Sequence, residues 1–458
     1  MQHSSGLADP AGPGASTVAA PAATASAVAD HNAGWPSSGH AARQAGAAWL
    51  ASALQASRQD TLATFAACAR GLVDLQVPQC ATLNPPLWEL GHIGWFQDHW
   101  LGRNPERSAG ALADPDAPRR PAARAQADAL YDSSAVPHAT RWSLALPDAA
   151  ATQADLAAQL RTTLALLQAA DTSDGALYFF RLALLHEDMH HEAALYMAHS
   201  LGLVIDDARW QPKPLTATMQ TLPLAAGHWT LGNPDHGFAF DNELGAHPVA
   251  LPACQIDSQV RAWADYLPFV EAGGYQQPQW WDAAGRAWLA AGQPQSPRYT
   301  RRLGSTWQHW RQGQWQALDP ALPANHLTAF EADAWCRWAG HRLPSEAEWE
   351  RAAVSLQPSR QPSLQPSLQP GRQPSQRPDP QAGFHWGQVW EWTSSHFAPY
   401  PGFTPHPYRD YSAPWFGSHR VLRGASHLSQ PRLRHPRYRN FFLPQRNDVP
   451  AGFRTCSL

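Results

Sequence analysis

The chain has 458 residues, enough for two or three domains, and its net charge of -3 gives no reason to expect nucleic acid or an anionic membrane as a partner. No apolar run approaches the roughly 20 residues that span a bilayer, so no membrane partner is expected. The 22 Trp, with 42 Pro and 31 Gly, point instead to a loop-rich fold packed by large aromatics.

Residues 1–40 are rich in Ala, Ser, Gly and Pro and lack a basic segment followed by an apolar one. They read as a disordered tail, not a signal peptide. From Ala41 to Leu75 apolar residues such as Trp49, Leu50, Leu54, Leu62 and Phe65 recur at helical steps. Asn84-Pro85-Pro86 marks the start of a second helix, Leu87 to Trp100, which carries His92 and His99. Residues 102–121 and 131–142 read as irregular. A third helix is expected from Thr152 to Ala170, with Leu156, Leu160, Leu164 and Leu167 on one face, and a fourth from Ala176 to Leu203. Four helices with long connections predict a bundle over 41–206, an architecture that often builds metal sites between facing helices.

The fourth helix contains Leu184-Leu-His-Glu-Asp-Met-His-His-Glu192. His186 and His190 are four residues apart and share a face, one turn above the other. Two imidazoles so placed can reach one metal ion, as zinc or iron. The bland alternative is a surface helix with scattered His and Glu. Glu192 lies about 200° round from His190, a poor ligand from that face and a better support or partner-helix group. His92 alone reads as a packed or capping histidine. With the pair, and with Trp88, Trp95 and Phe96 to limit solvent, it becomes a third ligand.

Residues 207–223 read as a linker. Over 224–458 helical periodicity is lost apart from two short helices, near Val260 to Glu271 and Thr328 to Trp338. A Gln-Pro-Ser repeat fills 355–382 and reads as a surface-loop insertion, since it offers nothing to a core. Cys68, Cys80, Cys254, Cys336 and Cys456 are scattered and odd in number. They argue against a disulfide framework and fit a reducing compartment, the cytoplasm. The expected class is α+β.

Gly340-His-Arg-Leu-Pro-Ser-Glu-Ala-Glu-Trp349, Val389-Trp-Glu-Trp392, Leu422-Arg-Gly424 and Gly452-Phe-Arg454 resemble the formylglycine-generating-enzyme-like module, a variant of the C-type lectin fold. Leu87-Trp-Glu-Leu-Gly-His92 and His186-x-x-x-His190-x-Glu192 resemble the DinB-like four-helix bundle. In this order the two modules are similar to the nonheme iron sulfoxide synthases of ergothioneine biosynthesis and their relatives. The resemblance implies Fe(II) held by His92, His186 and His190, with O2 and hercynine, a trimethylated histidine, as substrates. It implies oxidative C–S or C–Se bond formation at the hercynine imidazole.

It also makes Asn440 a hercynine contact. Phe441 and Phe442 stand where some members have Trp-Asp, which removes the acid used there for a γ-glutamylcysteine-type donor. Met189 replaces a Gln seen in some members. Tyr400 is the expected active-site tyrosine, with Tyr408 and Tyr411 as alternatives. The blocks Asn84 to Gln97, Tyr131 to Ser134, Arg141-Trp142, His186 to His190 and Arg437 to Phe442 look closest to the selenoneine branch, whose donor is a selenosugar. Arg141 is then a donor contact, or else a surface ion-pair residue. Arg434, Arg437, Arg439 and Arg446 form a basic cluster, of which one or two are expected to touch substrate. The alternatives are a sulfur donor such as cysteine, a zinc-dependent DinB-type thiol transferase, a formylglycine-generating enzyme, which requires a cysteine pair not evident here, and a lectin-like binder.

Overall fold

Apolar spacing in the first half of the chain becomes a helical bundle, and the motif-rich second half becomes small sheets stitched by buried ion pairs. The computed structural model describes residues 37–234, 236–356 and 383–458. Helix α1 spans Ser37–Gln44, so helix begins inside the expected tail; α2 follows at Ala47–Gly71, after a break at Gly46. Helix α3, Pro86–Gln97, starts on the predicted prolines and continues into a π-turn at Asp98–Gly102. A short α4, Ala127–Tyr131, precedes α5, Ala149–Gln168, and α6, Asp174–Ser200. The Asp148 carboxylate caps α5 and the Ser173 hydroxyl caps α6, each accepting from a first-turn amide that has no helical partner.

Arg58 of α2 joins the four long helices. It is 3% exposed and donates to both oxygens of Glu187 on α6, at 2.7 and 3.1 Å. It also reaches the Leu156 carbonyl of α5 at 2.7 Å and Gln97 of α3 at 3.2 Å. A buried cation is tolerated because every face of its guanidinium meets an acceptor.

The stretch expected as a linker is partly structured. Trp210 is buried, and the strand β1, Thr221–Leu224, starts before the predicted boundary. Strands β2 (Gly227–Leu231) and β3 (His247–Leu251) form a hairpin. After β4, Cys254–Asp257, come α7, Trp263–Glu271, and α8, Ala283–Gly292. Strands β5 (Thr300–Leu303), β6 (Thr306–Arg311) and β7 (Gln314–Ala317) form an antiparallel meander. Helix α9 (Ala329–Ala339), strand β8 (His341–Arg342) and helix α10 (Glu346–Ser355) follow. Helices α8 and α10 were not among the expected helices. The start of α10 carries a legible signal, since Ser345 and Glu348 form a reciprocal capping box. The predicted tail up to residue 36 and the repeat from 357 lie outside the described residues.

The last strands are β9 (Trp390–His396), β10 (Arg420–Gly424), β11 (Asn440–Phe442), β12 (Ala451–Gly452) and β13 (Cys456–Ser457). One sheet runs β1-β4-β13-β8 and another β11-β10-β9-β12. Residues of the sequence motifs are its fasteners. Arg454 binds Glu391 of β9 through two nitrogens, and Trp349 donates to the same carboxylate at 2.7 Å. Gly452 allows close approach of another segment, because a Cβ there would lie 2.3 Å from the Ala324 carbonyl oxygen. One buried apolar cluster contains residues of both halves, including Phe96, Phe179, Trp390 and Phe453. Among the described residues no helix is long and apolar enough to cross a membrane.

Candidate metal centre

Three imidazoles meet between α3 and α6. One ring nitrogen from each of His92, His186 and His190 lies within 4.8 Å of the others. His92 and His186 are each 2% exposed. The His92 ring lies 5.2 Å from that of His186 and 4.8 Å from that of His190. This grouping follows from the four-residue spacing on α6 and from the packing of α3 against it.

Two of the rings are oriented from behind. His92 Nδ1 lies 2.8 Å from the Tyr131 carbonyl, which can only accept, so Nδ1 carries the proton and Nε2 keeps its lone pair. Gly91 permits this approach, since a Cβ there would fall 2.3 Å from the Tyr131 ring. His190 Nδ1 lies 2.6 Å from Glu89 Oε2. Asn84 donates to the other Glu89 oxygen at 2.6 Å, and Arg141 donates to Asn84 at 3.0 Å. His186 Nε2 is buried with no hydrogen-bond partner. An unpaired buried nitrogen beside two imidazoles whose Nδ1 atoms are engaged is what a metal ligand set requires.

Electrostatics favour the neutral form of two rings, His92 and His186. Burial, then the neighbouring His190, pushes His92 down to about 3, and burial with His190 and His92 takes His186 well below its ordinary value. Burial raises the Glu89 carboxyl, but the hydrogen bond and charge of His190, with His92 and Arg141, together outweigh it, so the net displacement is downward. Trp88 stacks on His92 at 4.9 Å and 9°, and Phe96 on His186 at 3.5 Å and 5°. These rings exclude water from two flanks.

The other predicted residues divide. Tyr400 does not join the histidines. Its hydroxyl donates to Glu346 at 3.0 Å and accepts from Arg423 at 3.2 Å, and Arg439 covers its ring at 4.0 Å. The neighbouring tyrosine is Tyr408, with its ring 6.1 Å from His186 and 5.0 Å from Phe96. Tyr411 and Tyr438 share a 3.1 Å contact, and Tyr438 reaches Met189 Sδ at 3.2 Å.

Asn440 and Phe442 occupy one face of β11. The Asn440 side chain accepts from the Phe441 amide at 2.9 Å, and Arg446 covers Phe442 at 5.1 Å. Phe441 faces away and stacks on Phe397 at 4.0 Å. Arg141 lies over Trp88 at 3.8 Å, beside the histidines. The expected basic cluster disperses: Arg437 and Arg439 bind Glu350 and Glu346, Arg446 binds Asp448, and Arg434 donates to the Ser426 and Ser429 carbonyls.

Glu192 faces the second module. Its carboxylate accepts from Trp390 at 2.7 Å and from Ser426 at 2.6 Å, and burial raises it despite these bonds. Asp188, one turn earlier, takes both arms of Arg432 at 2.8 Å. Sequence reasoning missed Glu89, although it stands three residues before His92 on the same face of α3. It also missed a cysteine pair. Cys254 on β4 and Cys456 on β13 come within 4.8 Å, with Glu348, in a buried cluster separate from the one that holds Trp88 and Phe96.

A helical bundle presenting three histidines, fused to a module of small sheets, defines a two-part architecture, and comparison with known proteins gives each part a family. Residues 53–199 match the DinB superfamily, and residues 207–370 and 383–457 match the sulfatase-modifying factor enzyme 1-like domain. The chain is 32% identical over 414 residues to a hercynine oxygenase of Mycolicibacterium smegmatis, covering 81% of this chain and 90% of the relative. It is 31% identical over 411 residues to a hercynine oxygenase of Mycobacterium tuberculosis, with 81% and 90% covered. A formylglycine-generating enzyme of Streptomyces coelicolor is 28% identical over 251 residues, covering 46% of this chain and 80% of that protein. The chain belongs to the hercynine oxygenase family.

Proposed function

We propose that this protein is an Fe(II)- and O2-dependent enzyme that joins the selenium of a selenosugar to the hercynine imidazole. The observation that carries the metal part is the set of three buried imidazoles, two held through Nδ1 and the third with an unpaired Nε2. Neutral imidazole donors suit Fe(II), and three protein ligands leave room for other groups. Iron, when bound, supplies the redox chemistry that lets O2 react with closed-shell substrates. Family membership supports hercynine and O2 as substrates. In the net reaction an imidazole C–H, a selenol and O2 give a C–Se bond bearing one oxygen, and water.

The chain's own residues then have separable tasks. Glu89 and the Tyr131 carbonyl fix the donor nitrogens of His190 and His92. Trp88 and Phe96 keep water from the flanks. Tyr408, in place of Tyr400, is the hydroxyl-bearing group suited to move a proton at the reacting centre. Arg141, held by Asn84 over Trp88, contacts the donor, and Asn440 contacts hercynine. Phe442 in place of an acid favours a donor other than γ-glutamylcysteine.

A sulfur donor is the second reading, favoured by the likeness to hercynine oxygenases along most of the chain. The protein is loaded with Fe(II) without oxygen, then given O2, hercynine and either selenosugar or cysteine, and product masses are compared. Selenium incorporation is expected. Turnover with cysteine and none with the selenosugar overturns the selenium assignment; zinc in the isolated protein with O2-independent activity overturns the oxygenase reading.

A further inference from the structure

Helix α6 has a second histidine-lined environment. His199 lies nine residues beyond His190, about 13 Å along the axis and about half a turn round it. There it lines an open-mouthed cavity of about 90 Å³, bounded also by the β5–β7 meander. None of the metal-cluster residues, and none of Glu89, Arg141 or Tyr408, lines it.

The lining has an unusual balance. It contains Arg298 and Arg311 and the imidazoles of His199, His309, His326 and His427, but no Asp or Glu. Arg311 donates to Gln211 at 2.6 Å and Arg298 to Asn447 at 3.3 Å, both neutral acceptors. Burial lowers Arg311 with no carboxylate to offset it. Burial also takes His199 and His427 to about 4, so both are neutral near pH 7. The positive charge of the cavity therefore comes from the two guanidinium groups, and nothing in the lining balances it.

Two polar atoms wait for a partner. His199 Nε2 and His326 Nδ1 are buried without hydrogen bonds. Their rings stack at 4.9 Å and 6°, with Tyr299 edge-on to both. The rest of the wall is largely apolar and includes Trp210, Trp263 and Trp310. Two lining residues outside hairpin turns, Tyr299 and His326, have positive φ angles of 63° and 59°. Left-handed backbone is costly for such side chains, and it gathers where packing serves a site.

We propose that this cavity binds a small organic anion, a carboxylate or phosphate monoester on a flat apolar body. Its charged group would meet Arg298, Arg311 and the N–H that His199 Nε2 can carry, and its body would lie against the tryptophans. The assignment does not rest on the reading of the metal centre.

Calorimetric titration of the full chain tests it, with phenyl phosphate and benzoate against neutral benzyl alcohol and cationic benzylamine. The anions are expected to bind at least about tenfold more tightly than either control. Arg311→Met and Arg298→Met should each weaken them by about tenfold, while His186→Ala changes them by less than about twofold. Melting curves establish that each variant is folded, and the Arg298 variant decides the matter if the Arg311 variant is not. Soaked 4-iodobenzoate should place its carboxylate at Arg298 and Arg311 and its iodine against the tryptophans of the wall. Equal affinity for the neutral control, no measurable anion binding, or binding lost in His186→Ala but kept in the arginine variants overturns the proposal.

Discussion

Replacing Glu89 by Gln tests how the metal centre is held. The Glu89 carboxylate is 6% exposed and bridges two donors, His190 Nδ1 at 2.6 Å and Asn84 Nδ2 at 2.6 Å. Glutamine has one acceptor oxygen. If that oxygen stays on Asn84, its amide N–H faces His190 Nδ1, which must then accept; the proton moves to Nε2 and blocks the metal-binding lone pair. If the amide turns over, two donors face each other at Asn84. Either arrangement loses one charge-assisted hydrogen bond, about 1.5–3 kcal/mol. At 1.4 kcal/mol per decade this is about a 10- to 100-fold loss of metal affinity. Competition against a calibrated chelator, with Fe(II) under anaerobic conditions and with Co(II) as a spectroscopic substitute, measures it. The metal-free melting temperature shows whether the fold survives. Unchanged affinity in a folded Glu89→Gln protein refutes the orienting role.

Arg58→Met should destabilise the bundle by about 3–5 kcal/mol, because Glu187 stays buried without its partner; urea unfolding of the metal-free protein measures this. Tyr408→Phe should slow turnover or shift its product distribution, whereas Tyr400→Phe should chiefly lower stability by removing a hydroxyl bound to Glu346 and Arg423. The reverse pattern would return the role to Tyr400. Acidification should expose the neutral burial of His427, held at about 4 by burial. Its folded value lies below its unfolded one of about 6.5, so the unfolded chain takes up the extra proton and the loss of stability runs from about pH 6.5 down to about pH 4. A His427→Gln variant should show a stability slope shallower by up to about 1.4 kcal/mol per pH unit in that window. Identical slopes would refute the assignment.

The histidine cluster was legible because helical spacing is a strong geometric constraint: two residues four apart must share a face, whatever else packs nearby. Glu192 was read as a poor ligand by the same angle, and its contacts with Trp390 and Ser426 show where that other face leads. The tyrosine was less legible. Tyr400, Tyr408 and Tyr411 lie in loop and short helical turns, where no periodicity fixes direction, and only folding separates the ion-pair neighbour from the histidine neighbour. The Tyr131 carbonyl carried no side-chain signal at all. Its only trace was Gly91, whose missing Cβ admits the ring. The arginine cluster misled because charge in sequence does not reveal whether buried acids such as Glu346 and Glu350 consume it.

Helix α6 carries its metal-facing histidines and its module-facing carboxylates within seven residues, His186 to Glu192. The carboxylates' partners in the second module arrive late: Ser426 is 234 residues after Glu192, and Arg432 is 244 after Asp188. At about 5–20 residues per second of synthesis, Asp188 and Glu192 wait on the order of 10–50 s before their surroundings are complete. A bundle cut away at residue 206 would face that condition permanently, with Glu192 lacking Trp390 and Ser426, and Asp188 keeping Ser57 but losing the Arg432 cation. The half that holds the three histidines thus depends on the half made after it to complete the surroundings of Asp188 and Glu192.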